Sequence, residues 1–169
     1  MLLTLDTATP LVTVALHDGI DVVAERLSSA PMHHAEHLAP LIEETLAAAG
    51  ATRLDLTAVV AGVGPGPFTG LRVGLVTART LGLALDIPVG GLCTLDALAV
   101  EAVATGAVTG DFVVATDARR KEIYFATYAA SGRRTSGPVV DRPAALATDL
   151  PVVGAGHRLL NGHASGEHR

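Results

Sequence analysis

The run Gly64-Pro65-Gly66-Pro67-Phe68-Thr69-Gly70-Leu71-Arg72-Val73-Gly74 constrains this chain more than any other stretch. It follows the apolar segment Thr57–Val63, which has the composition of a buried strand, and opens a helical segment reaching about Asp86. Two Gly-Pro pairs make a stiff turn, because proline fixes its own φ and glycine tolerates what its neighbour then requires. Thr69 is placed as an N-cap, at the mouth of the helix where backbone N–H groups have no partner. Beyond it Gly70, Gly74, Ala78 and Gly82 recur at every fourth position, so one helix face carries almost no side chain. Each glycine in a helix interior costs roughly 1 kcal/mol against alanine. The stripe therefore calls for a close neighbour, and the expected one is a helix of a partner.

The remainder gives a fold class. Leu2–Asp6 and Leu11–His17 read as strands around Thr7-Ala8-Thr9-Pro10, and Asp18-Gly19 turns the chain into a third strand over Ile20–Leu27. A helix is expected over Glu36–Ala49, with Leu38, Leu41, Ile42, Thr45, Leu46 and Ala49 on one stripe and Gly50 as its stop. Pro40 implies a start near Ala39 or a kink. The glycine loop and its helix (69–86) are followed by a strand at Ile87–Leu92 and a helix capped by Thr94 over Leu95–Ala104. Three hairpin-linked strands, then helix, strand, helix, strand, is the order of a ribonuclease-H-like lobe of the actin, sugar-kinase and Hsp70 group.

The chain then begins again. Phe112-Val113-Val114-Ala115-Thr116-Asp117 echoes Leu2-Leu3-Thr4-Leu5-Asp6, 111 residues separating the two aspartates, with a second strand at Glu122–Ala130 and Ser131-Gly132 in place of Asp18-Gly19. The expected architecture is α/β: two ribonuclease-H-like lobes with mixed sheets flanked by helices, spanning 1–93 and 94–169. The second is shortened, passing through Pro138–Arg142 and Pro151–Gly154 to a polar tail over Gly162–Arg169.

Composition narrows the function classes. Three Phe, two Tyr, no Trp and a net charge of −5 disfavour a stand-alone nucleic-acid binder built on base stacking. Cys93 has no second cysteine to pair with. The first residues carry no basic leader, and no apolar run reaches the ~20 residues of a membrane span, so a cytoplasmic protein without membrane contact is expected.

Leu3–Thr9, His33-His34-Ala35-Glu36-His37-Leu38-Ala39-Pro40-Leu41-Ile42, the Gly64–Gly74 loop and Asp117-Ala118-Arg119-Arg120-Lys121-Glu122-Ile123-Tyr124 together resemble the bacterial TsaB family. The resemblance covers about residues 1–155. It implies an actin-like fold of two lobes and a non-catalytic partner role in threonylcarbamoyladenosine modification of tRNA. The implied partners are the paralogous catalytic subunit and its ATPase, with tRNA met only indirectly; a homodimer through the same helical face is the rival expectation for the chain alone. Pro67 stands where the family usually has Ser, and the chain stops some tens of residues earlier than is usual.

Site chemistry agrees with a chain that brings no cofactor. The turns after Asp6 and Asp117 contain no glycine to let backbone amides close on phosphate, so both aspartates read as strand ends. The glycine loop lacks the Gly-Lys-Ser/Thr ending of a P-loop, and its prolines remove anion-binding amides. His33 and His37 share a helical face, as zinc ligands do, yet show no third ligand and no His-Glu-x-x-His order. Cys93 reads as buried filler, and Ser28 and Ser29 lack a nucleophile elbow. Arg119-Arg120-Lys121, with Arg133 and Arg134 beyond the next strand, reads as a solvated turn with the charge to touch phosphate. No catalytic or metal-binding residue is assigned. The expected partner surface is the helix pair 36–49 and 69–86, through Leu38, Leu41, Ile42, Thr69, Gly70, Leu71, Gly74, Ala78 and Gly82. An ATP-dependent small-molecule phosphotransferase and a zinc metallopeptidase are the alternatives.

Overall fold

Alternating burial builds the first sheet. A computed structural model describes residues 1–28 and 34–156. In β1 (Leu2–Asp6) Leu3 and Leu5 point inward, as do Val12, Val14 and Leu16 of β2 (Val12–His17). Val59 and Ala61 of β4 (Ala58–Gly62) lie on the same side. Over this apolar face lie α1 (His34–Ala48), which contributes Leu38, Leu41, Ile42 and Leu46, and α2 (Phe68–Leu85), which contributes Ala78. With β3 (Val22–Ser28) and β5 (Val89–Leu92) the sheet runs β3-β2-β1-β4-β5. The hairpin strands pair antiparallel, whereas β4 pairs parallel to both β1 and β5. Buried Thr45 donates its hydroxyl to the Leu41 carbonyl, 2.6 Å away, and so needs no partner across the core.

The chain divides into two compact units, Met1–Thr94 and Leu95–Arg169. The second contains β6 (Phe112–Arg119), β7 (Glu122–Tyr128), β8 (Arg134–Asp141) and β9 (Val152–Val153) in the order β8-β7-β6-β9. Here β6, β7 and β8 pair antiparallel and β9 lies parallel to β6. Within this unit the helix α3 (Thr94–Ala104) buries Leu95 and Ala99 and ties itself to β7, the Tyr128 hydroxyl donating to Asp96 at 2.8 Å. Phe112 and Tyr128 stack with ring centroids 5.5 Å apart. The order β8-β7-β6-β9 repeats β3-β2-β1-β4 strand for strand, which turns a short sequence echo into a shared topology. This is an actin-like α/β fold of two lobes.

Several local expectations shift. Helix α1 begins at His34 and runs through Pro40, which lies on the exposed side and deprives the helix of one N–H donor without breaking it. Pro67, not Thr69, occupies the N-cap position of α2, with no side-chain cap, and Thr69 sits in the first turn. Strand β8 starts at Arg134 and contains Pro138, which an edge strand accommodates because its outer N–H groups pair with nothing. His33 and Ser29 lie outside the described residues, as do the polar tail over Gly162–Arg169 and the side chain of His34.

The largest correction concerns the small-residue stripe. Gly70, Gly74, Ala78 and Gly82 are all buried, against the chain's own first lobe. A Cβ on Gly74 would come within 2.5 Å of Thr7 Oγ1, and one on Gly82 would overlap the Val89 side chain. Helix α2 lies so close on β1, β4 and β5 that larger residues have no room. Leu38, Leu41 and Ile42 are likewise core residues, so the face of this helix pair that meets solvent is a different one.

Candidate functional site

Three places carry chemistry or an unusual surface, and the first is the corner at the end of β1. Asp6 closes that strand, and its Oδ1 accepts the Ala8 N–H at 2.6 Å while its Oδ2 accepts the Thr94 hydroxyl at 2.7 Å. Gly62 leaves the space this carboxylate fills, since a Cβ there would overlap it. Burial raises the Asp6 pKa, and the two hydrogen bonds oppose that shift only in part. Thr7 points the other way, donating to the Gly70 carbonyl at 2.8 Å and accepting the Gly74 N–H at 3.1 Å. Thr94 also gives its N–H to the Gly64 carbonyl at 2.8 Å. The glycine corner, the end of β1 and the first residue of α3 are thereby knotted by hydrogen bonds. Asp117 repeats the Asp6 device, its Oδ1 accepting the N–H two residues on, from Arg119, at 2.6 Å. Asp6 ends its strand as expected, whereas β6 runs on past Asp117 to Arg119, so Asp117 turns the backbone from within the strand.

The second place is the outer face of α2. Phe68, Val76 and Leu83 are 73%, 57% and 88% exposed, although each is a large apolar residue on a regular helix. Arg72 lies over the Phe68 ring, 5.3 Å from its centroid, and Arg79 follows on the same helix. Phe68, Thr69, Arg72 and Val73 line a shallow hollow there. Helix α1, its neighbour, carries Glu36, Glu43 and Glu44 and no Lys or Arg. One helix of the pair is thus apolar and cationic outside, the other anionic. Of the residues expected at a partner surface, Thr69 is exposed and Leu71 partly so, whereas the other seven are buried. The exposed set escaped the sequence reading because Phe68, Val76 and Leu83 share the helix with Leu71, Leu75 and Leu81, and period alone does not say which side meets the sheet.

The third place is the turn joining β6 to β7. Arg119 pairs with Glu122, leaving Arg120-Lys121 as a two-residue turn. Arg119, Arg120 and Lys121 have φ of 64°, 52° and 65°. Left-handed backbone costs a residue with a Cβ roughly 1–2 kcal/mol, and no glycine or asparagine relieves it here. Arg133 and Arg134 do not join this cluster. They stand at the opposite end of β7, where Arg134 Nη1 lies 3.5 Å from Asp96 Oδ1. Among the described residues no three His, Cys, Asp or Glu side chains gather as metal ligands. No helix among them is long and apolar enough to cross a membrane.

A protein-family model described as TsaD: tRNA N6-adenosine threonylcarbamoyltransferase matches residues 27–160. A solved Pseudomonas aeruginosa structure, described as an uncharacterized protein with similarity to peptidase YEAZ, superposes with a TM-score of 0.82 at 31% identity. The superposition covers 95% of this chain and 78% of that one. The tRNA threonylcarbamoyladenosine biosynthesis protein TsaB of Escherichia coli K12 is 35% identical over 128 residues, 75% of this chain and 54% of its own length.

The chain belongs to the TsaB family.

An uncharacterized Mycobacterium tuberculosis H37Rv protein is 48% identical over 145 residues, 84% of this chain and 65% of the relative. The chain therefore spans less than two thirds of the length of these curated relatives. At the position where the TsaB resemblance leads one to expect serine, Pro67 occupies the N-cap of α2 with φ −60°, so the helix begins without a hydroxyl.

Proposed function

We propose that the chain serves as a non-catalytic partner subunit in threonylcarbamoyladenosine modification of tRNA, docking on a paralogous transferase through the outer face of α2. The observation that carries this reading is the exposed row Phe68, Val76 and Leu83 beside Arg72 and Arg79. Large apolar residues set in a cationic frame are what a specific protein contact uses, aromatic and arginine anchors supplying most of its energy. The acidic exposed side of α1 extends the surface with opposite charge and so fixes the orientation of a partner. A second copy of the chain would pair α1 against α2 by the same complementarity, which makes a homodimer the competing use of one face.

A phosphotransferase reading asks Asp6 for a metal or a nucleotide, yet both its carboxylate oxygens already accept hydrogen bonds from within the lobe. The partner reading is tested by Val76→Glu combined with Leu83→Glu. The double variant is expected to keep its circular dichroism and to lose co-purification with the paralogous transferase by at least tenfold, since two desolvated carboxylates would enter the contact. Undiminished co-purification would place the partner elsewhere.

A further inference from the structure

The β6–β7 turn presents its charge in a way the fold does not require. Two-residue hairpin turns with both φ positive favour Asn-Gly, which reach that conformation cheaply. Here the positions are Arg120 and Lys121, with Arg119 before them also left-handed at φ 64°. All three side chains are exposed, and among the described residues none forms an ion pair or side-chain hydrogen bond. Arg142 follows Asp141, which pairs with Ile123, so a fourth cation stands at the same end of the sheet. The carboxylates nearby are Asp117, Glu122 and Asp141. Asp117 and Asp141 are engaged by the Arg119 and Arg142 N–H groups, each at 2.6 Å.

Net charge, which discourages nucleic-acid binding for the chain as a whole, is unevenly shared. Met1–Thr94 holds four of the twelve Lys and Arg against nine of the seventeen carboxylates, whereas the rest of the chain is balanced. The turn therefore belongs to the unit that carries none of the excess negative charge.

We propose that Arg119, Arg120 and Lys121 form a contact for the phosphodiester backbone of RNA. The turn is a convex tip with no aromatic side chain of its own, so it suits a sequence-independent contact to a strand of phosphates. An acidic protein surface is the other polyanion such a tip would meet. The absence of large apolar residues from the tip itself, in contrast with the outer face of α2, favours phosphate. The choice of RNA rests on the tRNA-modification reading, while the measurement below does not.

The full chain is titrated against a fluorescent, unmodified tRNA transcript at salt from about 50 to 200 mM. Wild type is expected to bind with an affinity that falls steeply with salt. Arg120→Asn with Lys121→Gly installs the residues such a turn prefers while removing two cations. That variant is expected to unfold at a higher temperature, to bind RNA at least about tenfold more weakly, and to lower the salt slope by about two. Arg119→Gln should weaken binding further with no gain in stability. Val76→Glu with Leu83→Glu, the test of the partner face, should leave RNA affinity unchanged, so the two readings fail separately. No salt-dependent binding by wild type, or equal binding by the Asn-Gly variant, overturns the proposal. Loss of capture of the paralogous protein with RNA binding retained overturns it as well, and assigns the turn to a protein contact.

Discussion

The Thr7 hydroxyl is one atom holding two backbone groups of a neighbouring helix. It donates to the Gly70 carbonyl and accepts the Gly74 N–H, so a side chain at Gly74 and this hydroxyl compete for one space. Gly74→Ala is expected to destabilise the protein by about 1–3 kcal/mol, read as a lower urea midpoint, because overpacking outweighs the gain in helix propensity. Asp6 gives a prediction in pH. Its folded-state pKa is raised by burial above 3.8, so the folded protein takes up that proton before the unfolded chain does. The stability this provides is fully present below the unfolded value and is lost as pH rises through the folded one. Unfolding free energies of wild type minus Asp6→Asn should therefore fall as pH rises from acid towards neutrality; a difference flat in pH would show the carboxyl to be ordinary. Asp6 as a strand end was legible in its sequence neighbours. Its bond to Thr94, 88 residues away, was not, because no local pattern encodes a contact at that distance.

At the scale of elements, the stripe of Gly70, Gly74, Ala78 and Gly82 announced a close approach without saying of what. A helix lying on a sheet and a helix paired with a helix both ask for small residues, and the sequence pattern is the same for each. What decides is that α2 has two sides of comparable apolarity and that the one with room for nothing faces Thr7 and Val89. Ala78→Glu consequently becomes a test of the core. The variant is expected to lose several kcal/mol, enough to abolish cooperative unfolding by circular dichroism, since a carboxylate would enter a fully buried position unpaired. A folded, monodisperse Ala78→Glu protein would return the stripe to the surface. The succession of strands and helices in the first lobe was readable because alternation in β1 and β2, the apolar run before Gly64 and the helical spacing after it differ in period. The left-handed Arg119-Arg120-Lys121 run was not, because these residue types predict the opposite backbone.

For the whole molecule, the two sheets show how far five echoing residues reach. The order β3-β2-β1-β4 reappears as β8-β7-β6-β9, and each first strand carries, at or near its end, an aspartate that binds the N–H two residues on. The units have nonetheless diverged in what they expose. The first has an apolar, cationic helix face and all of the excess negative charge; the second has a strained cationic turn and balanced charge. One repeated frame thus supports two kinds of surface.

The Thr94 knot has a mechanical meaning. Thr94 ends the first unit, and it is pinned at once to Asp6 through its hydroxyl and to Gly64 through its N–H. Tension on Thr94 would load these two bonds, and through them the end of β1 and the glycine corner, together with the backbone that runs back into β5. The same corner leads into α2. A pull at Thr94 would thus be felt at once at the end of β1 and at the root of the helix whose outer face is left bare.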